Sequence, residues 1–175
     1  GRGVHPRGQV APTPGVARKR LHHVGPAESG QVTSLVRFEP GARFPWHPHP
    51  DGEEILVLEG TFSDEYGDWP AGTFLANPEG VDHAPWSEPG CLLFVKLRQY
   101  PGARPHLALA MADVPEEPDA DARGVHRRWL FSDAAFPERI AIERVDPGAG
   151  RALYDPDGLE LLVLAGSVKV AGEAL

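Results

Sequence analysis

Four side chains in the 175-residue sequence have the types and spacing to act together: His47, His49, Glu53 and His83. His47 and His49 are two apart in the proline-rich stretch Phe44-Pro45-Trp46-His47-Pro48-His49. An extended chain points residues two apart to the same side. Pro50-Asp51-Gly52 then turns, and Glu53 opens an apolar run; His83 lies on a later extended piece between Gly80 and Ala84-Pro85. Three neutral imidazoles donate nitrogen lone pairs to a divalent ion, and one carboxylate supplies compensating charge. Histidines enclosed by apolar groups without such a partner would be costly to bury. The expectation is one divalent ion per chain on these four residues, zinc first, with iron, manganese or nickel as alternatives.

Alternation decides which of two adjacent glutamates joins the histidines. Glu53, Ile55 and Val57 share one face of the strand that follows the turn, and Glu54, Leu56 and Leu58 share the other. Glu53 is therefore the expected ligand. Apolar residues on both faces of Glu53 to Glu59 also leave an outer face wanting cover, which predicts a homodimer or an intramolecular pairing of two halves.

The elements that must position these groups read as strands. Gln31 to Glu39, Glu53 to Glu59, a short strand from Phe62, Thr73 to Ala76 and Cys91 to Leu97 are apolar or alternating runs. Pro40-Gly41, Gly60, Asp64 to Asp68, Ala71-Gly72, Asn77 to Gly80 and Pro89-Gly90 punctuate them. Strands this short and evenly spaced predict an all-β sandwich or jelly-roll barrel. Ala103 to Ala112 is expected to carry one turn of helix, and strand signals resume at 125–131 and 139–145. The organisation reads as an N-terminal arm over 1–20, a metal-binding unit over 21–100, a linker over 101–124 and a second unit over 125–175. That second unit contains a repeat: His47 to Gly60 aligns with Leu153 to Gly166 at constant offset. Leu153 stands for His47, Asp155 for His49 and Leu159 for Glu53, so this incomplete copy is expected to keep the architecture without a metal site.

Composition narrows the function classes. Seventeen basic against 25 acidic residues give a net charge of -8, which disfavours nonspecific nucleic-acid binding. The cluster Arg18-Lys19-Arg20 is too short to reverse that and reads as a solvated face. One cysteine, Cys91, cannot form a disulfide within the chain. No apolar stretch approaches membrane-spanning length. The start Gly1-Arg2-Gly3 does not read as a signal peptide, and the cytoplasm is the expected compartment.

Trp46, Trp86, Phe44, Tyr66 and Trp69 are candidates for cavity walls or core packing, with Trp46 pointing away from the histidines. Cys91 reads as a small buried hydrophobe rather than a redox sensor. Arg37, Arg43 and Glu59 are candidate contacts around the site. His5, His22, His23, His106 and His126 read as ordinary histidines outside it.

The stretch Gly41 to Gly60 resembles the first motif of the cupin superfamily: glycine, five residues, His47, one residue, His49, three residues, Glu53, six residues, Gly60. Gly72 to Ser87 is similar to the second motif, with Pro78, Gly80 and His83 in place and Ser87 where asparagine is usual. The resemblance is to the ChrR-type cupins. It includes Arg18 to Leu21, Thr33 to Arg37, Gly52 to Gly60, Phe62 to Glu65, His83 to Pro85 and Cys91 to Leu97, dense over 16–99 and weaker after 125. It implies an RmlC-like jelly-roll β-barrel, duplicated here with a degenerate, truncated second unit. It also implies a divalent ion on His47, His49, Glu53 and His83, with a small-molecule ligand in the barrel. In ChrR such a cupin follows a zinc-bearing helical anti-sigma domain and tunes release of a sigma factor. A sigma-factor partner is therefore expected only with an additional N-terminal domain.

The resemblance also extends to dioxygenases that cleave small diketones or hydroxyketones. Three readings result: a sensory or regulatory module, a non-haem metal-dependent dioxygenase, and an isomerase or lyase using the ion as Lewis acid. The parity assignment underlies all three. Glu53→Gln should sharply weaken metal retention in dialysis against a mild chelator, and Glu54→Gln should change it little. The reverse order would place the cavity on the wrong face.

Overall fold

Runs of Val, Leu, Ile and Phe cut by glycine and proline turns fold as strands, because branched and aromatic side chains pack well on a pleated surface. The computed structural model describes residues 13–27, 29–152, 158–170 and 173–174. In chain order the strands are β1 (Val16–Val24), β2 (Gln31–Phe38), β3 (Ala42–Arg43), β4 (Glu53–Asp64), β5 (Gly67–Pro70), β6 (Thr73–Asn77) and β7 (Trp86–Ser87). They continue as β8 (Cys91–Leu97), β9 (Leu107–Ala110), β10 (Glu117–Pro118), β11 (Val125–Ser132), β12 (Arg139–Val145), β13 (Lys169–Val170) and β14 (Glu173–Ala174). The protein is predominantly β, with a nine-stranded sheet ordered β1-β2-β8-β4-β6-β9, onto which β3, β5 and β7 join through β4. A three-stranded sheet is ordered β10-β11-β12. Among the described residues no helix is long and apolar enough to cross a membrane.

The chain divides into two compact units, residues 1–116 with 128–142, and 117–127 with 143–175. This differs from a second unit spanning 125–175, because most of β11 and β12 goes with the first. β1 likewise joins the expected arm to the expected metal-binding unit, pairing with β2 from Val16↔Phe38 to Val24↔Gln31. Within 103–112 the structure has strand β9, paired with β6, and the one helical turn comes at the end of that range, as a 3-10 turn at Met111–Asp113. Alternating Leu and Ala at 107–110 suits an edge strand, and β6 offers it a free edge. Residues 158–164, aligned in sequence with the start of β4, carry no strand. No described strand pairs with them, and Leu159, Leu161 and Leu164 stay exposed. Leu153 and Asp155 lie outside the described residues.

Antiparallel register sorts the large sheet into two faces, since directly opposite residues project to the same side. One row runs Val36, Leu93, Val57; the next runs Ser34, Val95, Ile55, Leu75; the third runs Val32, Leu97, Glu53, Asn77. The apolar members of the first two rows join Phe38, Ala42, Phe62 and Cys91 in the main core. Glu53 and Asn77 therefore end a row on the core-facing side, as alternation required. The other face buries Leu56 and Phe74 against Leu130, with Leu58, Ile140 and Ile142 packed on them. That apolar outer face is covered from within the chain, so it no longer argues for a homodimer.

β4 bends as it passes between β8 and β5. Its register with β8 slips between Val57 and Glu59, and Gly60 has φ 72°, in the left-handed region. A Cβ on Gly60 would overlap the carbonyl oxygen of Gly90. Backbone strain alone in such a conformation costs about 1–3 kcal/mol. Gly60→Ala should lower unfolding stability by at least that amount in urea titration. A loss within experimental error would mean the bend tolerates a side chain.

Candidate metal centre

Local chain geometry brings the predicted residues to one place. Ala42 and Arg43 pair with Ser87 and Trp86, so the segment entering His47 runs antiparallel to the one leaving His83. Phe44 N–H donates to Pro85 O at 2.8 Å, and His47 N–H donates to His83 O at 3.0 Å, with His83 N–H returning to His47 O at 3.4 Å. Gly52 N–H donates to His49 O at 3.1 Å, closing the turn that delivers Glu53. Asp51 and Gly52 both hold positive φ, 58° and 78°. Aspartate tolerates that conformation and glycine adopts it freely.

His47, His49 and His83 converge, with coordinating nitrogens all within 4.8 Å of one another. His49 and His83 are buried and His47 is half-buried. Glu53, 8% exposed, lies beside them. Its Oε2 lies 3.5 Å from His49 Nε2 and 3.6 Å from His83 Nε2. His83 Nδ1 meets Asp64 Oδ2 at 3.1 Å, and His47 Nδ1 meets Pro45 O at 2.8 Å. With the Nδ1 atoms tied back, the Nε2 atoms of both rings remain for coordination. The Nε2 of His49 is buried without a hydrogen-bond partner. A buried polar atom normally has one, and here a cation is the partner that three facing imidazoles and a carboxylate fit.

Two supporting residues escape a sequence reading. Asp64 looks like part of a polar turn, yet it accepts hydrogen bonds from Tyr66 N–H at 2.9 Å, Trp69 Nε1–H at 3.1 Å and His83. Alternation counted from Phe62 would have placed it inward. Asn77 Nδ2 donates to Glu53 Oε2 at 3.3 Å, and it follows the inward Leu75 by two. Such outer partners fix the orientation of ligating groups.

Most other candidates lie elsewhere. Trp46 is 63% exposed, and Tyr66 is also exposed, so neither packs in the core. Phe44 sets its ring edge-on to His47 at 4.8 Å, and Trp69 reaches the centre only through Asp64. Trp86 lies under the Arg43 guanidinium. Cys91 is a core residue whose thiol pKa is raised by burial, which fits a structural role. Arg37 and Arg43 pair with Glu59 and Glu88 at the surface. Among the remaining histidines, His23 bonds Pro26 O, His106 faces Tyr66, and His126 approaches Asp146. His22 is exposed, and His5 lies outside the described residues.

Burial sets the protonation of the group. It pushes His49 down to about 3 and His47 below its usual value, so both are neutral at pH 7. It pushes Glu53 up to about 7. Burial also acts to lower His83, but the Asp64 hydrogen bond and the charges of Glu53 and Asp64 outweigh it and hold the ring above its usual value. Burial acts to raise Asp64, and the donors around it hold it below the usual carboxylate range. Without a cation, Glu53 and His83 thus hold protons near neutrality that a cation would displace.

Comparison with known proteins then fixes the family. Residues 8–101 match the model of the ChrR cupin-like domain. The chain belongs to the ChrR-like cupins. A comparison with curated proteins returned no match. Among solved structures, this ChrR-like cupin is similar to a candidate glyoxylate-induced protein of Pseudomonas aeruginosa. That pair has 11% identity and a TM-score of 0.60, covering 81% of this chain and 58% of the other. It is also similar to a candidate dioxygenase of Nostoc punctiforme, at 18% identity and TM-score 0.52, covering 73% and 52%. The complex of SigE with the anti-sigma ChrR from Rhodobacter sphaeroides matches at 24% identity and TM-score 0.44, covering 55% and 52%. The ChrR-like cupin thus spans between half and three-fifths of the length of these chains. At such identities the likeness to the first two speaks to the fold alone.

The protonation pattern sets a pH dependence. Binding a cation requires ionised Glu53 and neutral His83, so protons leave as it binds. Apparent affinity should level off only above the range in which Glu53, at about 7, and the raised His83 lose their protons. It should fall by about tenfold or more per unit as pH drops from 7 to 5.5, one decade for each proton displaced. His49, at about 3, adds nothing in that window. Competition against a chromophoric chelator reads this directly, and a flat profile would remove Glu53 from the coordination.

Proposed function

We propose that this ChrR-like cupin holds one divalent ion, zinc first, on His47, His49, Glu53 and His83 and serves as a sensory or regulatory module. One observation carries the metal reading. The Nδ1 atoms of His47 and His83 are tied back, and the unpartnered His49 Nε2 faces Glu53 Oε2 in a buried pocket. The sensory role rests on membership of the ChrR-like family, and a sigma-factor partner would require a further N-terminal domain. The register rows and the bent β4 support a sheet closing as a jelly-roll barrel around the ion. A homodimer would have to use another surface than the covered Leu56 face; the outer edge of β1 is a candidate, since among the described residues β1 pairs only with β2.

A second reading is favoured by the half-buried His47, which leaves the centre approachable from one side. It is a non-haem dioxygenase acting on small diketones or hydroxyketones; the Nostoc punctiforme relative is itself described as a candidate dioxygenase. The ion would supply Lewis acidity and oxygen activation. The chain would contribute His47, His49, Glu53 and His83 as holders, Asp64 and Asn77 as orienting groups, and Phe44 and Phe62 as apolar walls excluding water. Metal analysis of protein purified without added metal, with oxygen uptake on acetylacetone, separates the readings. The sensory reading expects one zinc per chain and no uptake. Iron with uptake would replace it with the enzyme. Failure to take up any divalent ion on reconstitution would remove both.

A further inference from the structure

The basic triplet read as a solvated face lies on β1, and register gives it a direction. Val16 pairs with Phe38, Arg18 with Val36 and Arg20 with Ser34. Phe38 and Val36 belong to the main core, and Val16 packs against it. Arg18 and Arg20 therefore project on the same side of the sheet as the core, while Lys19 projects on the other. β1 is the edge of the sheet and almost wholly exposed, so the two guanidiniums stand where that face meets solvent. Arg18 lies within electrostatic reach of Glu53, His47 and His49.

Neither arginine makes a hydrogen bond or an ion pair among the described residues. Other arginines do, as Arg43 on Glu88 at 2.8 Å and Arg104 on Glu138 at 2.6 Å. The two like charges repel each other, and the carboxylate whose charge acts on Arg18 is Glu53, itself a candidate metal ligand. A second observation points the same way. Ser34, opposite Arg20, is 1% exposed and its Oγ has no hydrogen-bond partner. Its row continues through Val95 to Ile55, next to the row that ends at Glu53. An unsatisfied hydroxyl beside two unpaired guanidiniums is a set of donors lacking an acceptor.

We propose that Arg18 and Arg20, with Ser34, form an anion subsite beside the metal centre, so that the site takes a small carboxylate carrying a second oxygen donor, such as a 2-oxo acid. The carboxylate lies on the guanidiniums, whose planar forks match its geometry, and the second oxygen turns toward the histidines. This rests on the metal reading above and adds the chemical class of its ligand.

The test is calorimetric titration of pyruvate and of uncharged methyl pyruvate into the full chain, both Co²⁺-loaded and metal-free. Wild type is compared with Arg18→Met, Arg18→Lys and Arg20→Met, with metal content measured for each. The Co²⁺ form of wild type should bind pyruvate at least about tenfold more tightly than its ester, the order expected of charge-assisted pairing. Arg18→Met and Arg20→Met should lose most of that preference at unchanged metal content, and Arg18→Lys should recover part of it. Equal affinity for acid and ester in wild type, or an undiminished preference in both Met variants, would overturn the proposal. A chain that takes up no Co²⁺ defeats the metal reading instead. The subsite is then read in the metal-free titration, where loss of pyruvate binding in Arg18→Met supports it and absent or indifferent binding overturns it.

Discussion

A carboxylate buried against imidazoles has to be neutralised, and in this protein that requirement shapes what surrounds Glu53. Taking an ionised carboxylate out of water is expensive, and the expense is relieved by a proton, a cation or donors. Asn77 supplies a donor and His83 faces the same oxygen. Asp64 then holds His83 from behind, so a second buried carboxylate sets the orientation of the ring that meets the first. Asp64, the His83 ring and Glu53 thus form one line of polar contacts, at whose inner end a divalent ion would face an ionised Glu53 and take the lone pair of a neutral His83. Without it, protons stand in.

The backbone serves the same arrangement. Glu53 opens β4 and Asp64 closes it, so one strand delivers both the carboxylate that faces the histidines and the one that anchors His83. It can do so only because it bends at Gly60, with a register slip just before, which brings Asp64 back toward the face on which Glu53 began. A straight strand would carry its far end away from the site. The glycine is thus a condition of the chemistry as well as of the turn.

Much of the centre was legible because alternation and turn chemistry are local. His47, His49, Glu53 and His83 follow from residue type, spacing of two and one proline-glycine turn. Asp64 was missed because the slip between Val57 and Glu59 breaks a count begun at Glu53, and only a count restarted at Phe62 recovers it. The cover on Leu56 was missed for another reason. Leu130 and Ile140 reach it through tertiary packing, which no periodicity announces. The repeat at Leu159 to Gly166 misled in the opposite sense. Its pattern matches a strand, but a strand needs a neighbour, and no described strand pairs with it. Exposed β1 was obscured by its charge, since basic residues read as solvent-facing whichever way the register turns them.

The pair of backbone hydrogen bonds between His47 and His83 is an isolated bridge belonging to no strand. Two such bonds hold weakly, and segments of this kind are drawn from the least stable part of a fold. An ion gripping both imidazoles would rivet these two segments together. Amide exchange at the bridge would then slow far more on metal loading than exchange in β4 or β8, whose ladders stand without the ion. Occupancy of the centre would in this way be written into the local mobility of the loop mouth, a signal that another surface could read with no change in the fold beneath.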